Sequence, residues 1–99
     1  MKLAIIGSRH FNDYSLMTKS LADLTGVELV ISTEAQDKES LAKRWAQERG
    51  FQHIEFIENP AANEMFIKIC THLVIFGEGG NLVDLAKKYK KRYRLVSIS

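Results

Sequence analysis

Five short apolar runs alternate with four helical stripes along this chain, and that alternation constrains the fold more than any other feature. LAIIG (Leu3 to Gly7), ELVIS (Glu28 to Ser32), HIEFI (His53 to Ile57), HLVIF (His72 to Phe76) and RLVSI (Arg94 to Ile98) read as strands. The first and fourth are apolar on both faces, as buried strands are, whereas HIEFI alternates in part, as expected nearer a sheet edge. The intervening segments carry apolar residues at helical spacing. Leu16, Leu21 and Leu24 mark the first helix, capped by Asn12 or Asp13 and stopped by Gly26. Leu41, Trp45 and Ala42 or Ala46 mark the second, capped by Asp37 and ended by Gly50. Met65, Phe66, Ile69 and Cys70 mark the third, which starts at Asn59-Pro60. Leu82, Leu85, Ala86 and Tyr89 mark the fourth.

Strands that alternate with helices imply a parallel sheet covered on both faces, because each crossover must pack a helix back onto the sheet. Right-handed crossovers leave few arrangements. The expected one is an α/β three-layer sandwich with strand order 3-2-1-4-5 and four helices. Its order reverses between strands one and four. Ligands of open α/β sheets bind outside the carboxyl ends of the strands at such a point. Here those ends are Gly7-Ser8-Arg9 and Gly77 to Asn81. Glycine permits a sharp turn close to a ligand, while a serine hydroxyl and an arginine fork suit phosphate or carboxylate.

Ninety-nine residues with a hydrophobic fraction of 45% form one domain, spanning 1–99, with enough apolar side chains for a core. No run approaches the roughly 20 apolar residues of a membrane helix, and Met1-Lys2 leads into a strand, not a signal peptide. Cys70 is the sole cysteine, so neither an internal disulfide nor a cysteine zinc cluster forms. The expectation is a cytoplasmic protein without a membrane partner. A net charge of +2 argues against nucleic acid as a partner.

IIGSRHFNDY (Ile5 to Tyr14), VISTEAQDKESLAKRWAQERGF (Val30 to Phe51), ANEM (Ala62 to Met65) and LVIFGEGG followed by DLAKK (Leu73 to Lys88) resemble the SLOG superfamily, in particular its small YspA-like branch found in bacteria and their phages. The resemblance covers nearly the whole chain. It implies a Rossmann-like domain that binds nucleotides or nucleotide-derived small molecules. Some relatives are hydrolases or sensors, and small relatives often form homodimers. The ligand-binding positions it implies, together with the turn reading above, are Gly7, Ser8, Arg9, Asn63, Gly77, Gly79, Gly80 and Asn81.

The chain departs from the family pattern at its grip on phosphate. Where the family typically shows Ser-Gly-Gly-Ala-Arg-Gly-Ala-Asp, this chain has Ser32-Thr33-Glu34-Ala35-Gln36-Asp37-Lys38-Glu39. Both early glycines, which let several N–H groups face an anion, are missing, and the arginine is Gln36. Glu34 and Asp37 add negative charge there; a like charge within about 4 Å costs on the order of 1–4 kcal/mol. The family's Arg-Asn pair is Ala62-Asn63, and its later glycine-threonine loop is shortened to Gly79-Gly80-Asn81. These departures point to a reduced, non-catalytic domain without a cofactor. It would bind a nucleotide-derived small molecule or a protein partner, such as a host protein of a phage. A nucleotide-processing enzyme using Glu39, at the family's aspartate position, is the alternative.

The other candidates have plainer readings beside functional ones. His10, His53 and His72 are scattered and show no metal-ligand spacing. Trp45 and Cys70 fall on apolar stripes and read as core. Phe11 and Tyr14 are placed to stack on a base, although Phe11 equally anchors the turn. Lys87, Lys88, Lys90, Lys91, Arg92 and Arg94, interleaved with Tyr89 and Tyr93, read as a solvated basic C-terminal helix end or as a track for a nucleic-acid backbone. A helix face with Met65, Phe66 or Tyr89 exposed is where a homodimer would form.

Overall fold

Lys2–Gly7 forms β1, the middle strand of a five-stranded, all-parallel sheet with order β3-β2-β1-β4-β5. The other elements follow in strict alternation: α1 (Tyr14–Leu21), β2 (Leu29–Glu34), α2 (Leu41–Arg49), β3 (Gln52–Ile57), α3 (Pro60–Ile69), β4 (His72–Phe76), α4 (Asn81–Lys88) and β5 (Arg92–Val96). This is a Rossmann-like α/β arrangement. The structure is a computed structural model and describes residues 1–7, 13–34, 41–57, 60–77 and 81–97.

The pleat of the sheet divides the core into two layers, because successive side chains on a strand point to opposite faces. Leu3 and Ile5 of β1 and Val74 and Phe76 of β4 pack with Met17 and Leu21 of α1 and Ala42, Trp45 and Ala46 of α2. Ala4 and Ile6, with Ile31, Leu73 and Ile75, pack instead with Phe66 and Ile67 of α3, Cys70, and Ala86 of α4. Both faces of β1 and β4 are therefore buried, which is why these segments read as unbroken apolar runs.

The helix ends show where local signals worked and where they did not. Asp13 caps α1, its Oδ1 accepting from the Leu16 N–H at 3.0 Å. Asn12 lies outside the described residues. Helix α1 stops at Leu21, short of the Gly26 expected to end it. Asp23 is instead held by Arg94 of β5, with Nη1 and Nη2 donating to the two carboxylate oxygens at 3.1 and 3.0 Å, and Arg94 Nη1 also reaches the Ser20 carbonyl at 2.8 Å. Leu24 still packs on the core, but from the loop.

Helix α2 closes with a Schellman turn. Phe51 N–H donates to the Ala46 carbonyl at 2.9 Å and Gly50 N–H to Gln47 at 3.3 Å, with Gly50 at φ 75°. The Phe51 ring then packs 5.4 Å from the Trp45 ring, the apolar contact that accompanies this motif. Helix α4 ends the same way, Lys91 N–H donating to Ala86 at 2.8 Å and Lys90 N–H to Lys87 at 3.2 Å. Here the left-handed position is Lys90, at φ 56°. No glycine announces this stop. It brings Tyr89 into the turn, and β5 runs from Arg92 to Val96 instead of starting at Arg94; Ile98 lies outside the described residues. Cys70 likewise lies one residue past α3, where it is fully buried and its Sγ donates to the Ile67 carbonyl at 3.2 Å.

Lys90→Gly is expected to raise stability by up to about 1.5 kcal/mol, since a side chain in the left-handed region costs about 1–2 kcal/mol and glycine's greater unfolded-state freedom offsets about 0.4–1 kcal/mol of that gain. Denaturant unfolding of the two proteins measures it. A destabilised variant would mean that the Lys90 side chain itself supports the turn.

Candidate functional site

Parallel order places the carboxyl ends of β1 and β4 side by side where the strand order reverses, with Gly7 of β1 in register with Phe76 of β4. The next residue, Gly77, sits at φ 112°, a backbone state that side chains disfavour. Its N–H donates to the Val96 carbonyl of β5 at 2.9 Å. The chain thus leaves β4 at a fixed angle before α4 begins at Asn81. Asn63 belongs to the first turn of α3, whose N-terminus follows the carboxyl end of β3. Gly7, Gly77 and the starts of α3 and α4 therefore share the carboxyl edge of the sheet. Helix N-termini carry unsatisfied N–H groups and partial positive charge, which favours anions there. Ser8, Arg9, Gly79 and Gly80 lie outside the described residues, as do Gln36, Asp37, Glu39, His10 and Phe11. Glu34 is the last residue of β2 and pairs in register with Ile57.

Tyr14, considered above as a stacking residue, is engaged by α2. Its hydroxyl donates to Glu48 Oε2 at 2.5 Å, and the Arg44 guanidinium lies 4.2 Å from its ring centroid. Arg44 Nε also approaches Glu48 Oε1 at 3.3 Å. Partial desolvation, and then the Glu48 hydrogen bond, push the Tyr14 phenol up to about 12. The other helical layer repeats this arrangement: the Tyr89 hydroxyl donates to Glu64, while Lys68 and Lys88 each lie 5.4 Å from the Tyr89 ring centroid. Each tyrosine clasps two helices of one layer.

The sequence reading missed one polar pair. Ser32 is buried, at 2% exposure, and its Oγ lies 2.8 Å from His53 Nε2. The register pairs Val30 with His53 and Ser32 with Glu55, so Ser32 and His53 are one diagonal apart on the same face. Only the alignment of β2 with β3 makes them neighbours, and spacing along the chain holds no trace of it. A serine bonded to a histidine is the start of a nucleophile arrangement, yet the buried Oγ is closed to substrate and the pair serves to tie the two strands. Burial, the largest influence, lowers the His53 pKa from its usual 6.5; Glu55 opposes this and Lys43 adds to it.

Because the folded state disfavours protonated His53, its contribution is complete above about pH 6.5 and is lost as pH falls from there through the lowered folded value. Wild-type stability is expected to decline over that interval more steeply than that of His53→Gln. Denaturant midpoints measured at closely spaced pH values test this; parallel curves for the two proteins would contradict it.

The remaining candidates are settled by burial. Trp45 and Cys70 are core, at 2% and 0% exposure, and burial raises the Cys70 thiol pKa, which keeps it in the unreactive thiol form. Of the residues expected on an exposed dimer face, Phe66 is fully buried against the sheet, Tyr89 is half-buried on Glu64, and Met65 is 55% exposed. Among the described residues, no three histidine, cysteine, aspartate or glutamate side chains are grouped to hold a metal ion, and no helix is long and apolar enough to cross a membrane. Comparison of the chain with protein-family models, with curated proteins and with solved structures gives no match in any of the three.

Proposed function

We propose that this protein is a reduced SLOG-like domain that binds a nucleotide-derived small molecule, without turning it over, in the crevice at the reversal of strand order. The observation that carries this reading is the placement of Gly7 beside the Phe76-Gly77 bend, with the start of α4 four residues on. An open parallel sheet offers a crevice there, and glycine on both walls lets a ligand approach the backbone. Ser8 and Arg9, next in the chain after Gly7, supply the hydroxyl and the cationic fork for a phosphate. The acidic substitutions at the end of β2 and beyond it, Glu34 and Asp37, remove the family's second phosphate grip. The ligand is therefore held chiefly from the β1 side, and one phosphate is accommodated better than a polyphosphate. Catalysis through Glu39 is not needed for this role.

Isothermal titration against a panel of nucleoside monophosphates, cyclic nucleotides and nucleotide sugars tests the proposal. At least one member should bind, and Arg9→Ala should weaken it by about tenfold or more, since a hydrogen bond to a charged group contributes about 1.5–3 kcal/mol and 1.4 kcal/mol is a factor of ten. Absence of heat with every member would contradict the ligand reading. Turnover of a bound nucleotide that is lost in Glu39→Gln would replace it with the enzymatic one.

A further inference from the structure

The basic residues near the end of the chain do not lie along one helix. Lys87 and Lys88 close α4, Lys90 and Lys91 form the left-handed turn, and Arg92 opens the edge strand β5. Lys87, Lys88, Lys90 and Arg92 are exposed, and Lys91 is half-buried. Six of the chain's 14 lysines and arginines fall between 87 and 94, and no aspartate or glutamate follows Asp84. The small net charge of +2 thus conceals a strongly cationic pole.

Helix-dipole complementarity accounts for Lys87 and Lys88. It does not account for Lys90, Lys91 and Arg92, which lie beyond the helix. Among the described residues, Lys87, Lys90, Lys91 and Arg92 make no ion pair, whereas Arg94, two positions further along, is fully committed to Asp23 and Ser20. Lys90 moreover occupies a left-handed position that glycine would fill with less strain. A cation kept there at a cost in stability is a cation with a use. Tyr93, the second residue of the edge strand β5, is 38% exposed.

Unpaired cations around one turn, followed in the edge strand by an exposed aromatic ring, match the needs of a single-stranded nucleic acid: charge for the phosphates and a face for a base. We infer that the α4–β5 turn binds a single-stranded nucleic-acid backbone without sequence preference, through Lys87, Lys90, Lys91 and Arg92, with Tyr93 stacking on one base. The turn connects the carboxyl end of α4 to the amino end of β5, so it lies at the opposite edge of the sheet from the Gly7–Gly77 crevice. The inference is independent of the nucleotide reading.

Fluorescence anisotropy with a labelled oligothymidylate of about 20 nucleotides tests it, because stacking-based binding tolerates any base. Affinity should fall about fifty-fold between about 50 and about 200 mM salt, the expectation for four phosphate contacts at a slope of about −0.7 each. Lys90→Gly should weaken binding while the fold is preserved or stabilised. Arg92→Glu should weaken it further, and Tyr93→Ala should weaken it without changing the salt slope. Absence of binding at the lower salt, or binding that Lys90→Gly and Arg92→Glu leave unchanged, would overturn the inference. So would capture by phosphatidylserine vesicles with no affinity for the oligonucleotide, which would assign the pole to anionic membranes.

Discussion

Trp45→Ala is expected to lower the stability of the folded protein by about 3–5 kcal/mol, the usual loss when a buried aromatic is truncated and the cavity only partly collapses. Trp45 is the largest fully buried side chain, at 2% exposure, and it joins α2 to Leu3, Ile5 and Val30 of the sheet. Its ring also anchors the Schellman turn through Phe51, so truncation loosens the end of α2 as well. Among the described residues, the buried Trp45 Nε1–H has no hydrogen-bond partner. An unsatisfied buried donor costs about 1–3 kcal/mol. Trp45→Phe, which removes that donor and keeps most of the ring, should therefore cost far less than Trp45→Ala. Urea unfolding of the three proteins decides this. Equal losses for Phe and Ala would show that the indole N–H is satisfied in solution.

Phe66→Ala should be of similar size, again about 3–5 kcal/mol, but it acts in the opposite layer. Phe66 is fully buried with Ala4, Ile6, Ile31 and Ile75 beneath α3. The sheet separates it from Trp45, and the two residues share no cluster. Distant substitutions without common partners add within about 0.3–0.5 kcal/mol. The double variant should lose about 6–10 kcal/mol, which is comparable with the entire stability of a typical domain of about 5–15 kcal/mol. It is expected to be largely unfolded at room temperature, as circular dichroism would show. A double variant that folds as well as either single variant would mean that the two layers are not independent.

The core of these predictions was legible in the chain before any coordinates. LAIIG and HLVIF read as strands buried on both faces because the chain places apolar residues at every step, and β1 and β4 lie at the centre of the sheet. Alternation and right-handed crossovers leave few strand orders, and the expected one, 3-2-1-4-5, is the one observed. Boundaries were legible where a residue with special backbone chemistry marked them, as at Asp13, Gly50 and Pro60. They were misread where tertiary contacts decided. Asp23 is drawn to Arg94 from 71 residues away, and α1 ends well before Gly26. Lys90 adopts the conformation that glycine normally signals, and β5 begins two residues early.

The candidate site divides along the same line. Gly7 and Gly77 were found because glycine at a strand end has few other uses, and the register brings those ends together. Ser32 and His53 were not paired in advance, since only the alignment of two separate strands makes them neighbours. The cationic turn was seen as a run of residues but misjudged as a helix, because nothing local indicates that the chain reverses inside it.

Amide chemical-shift mapping tests the central proposal most directly. The ¹⁵N-labelled protein is titrated with whichever nucleotide gives heat in the calorimeter. The account expects the largest displacements at Gly7, Gly77 and Asn81, on the two walls of the crevice, with the amides of Lys90 to Arg92 unmoved. Displacements concentrated at the α4–β5 turn, or spread over the α2 surface while Gly7 and Gly77 remain still, would contradict it.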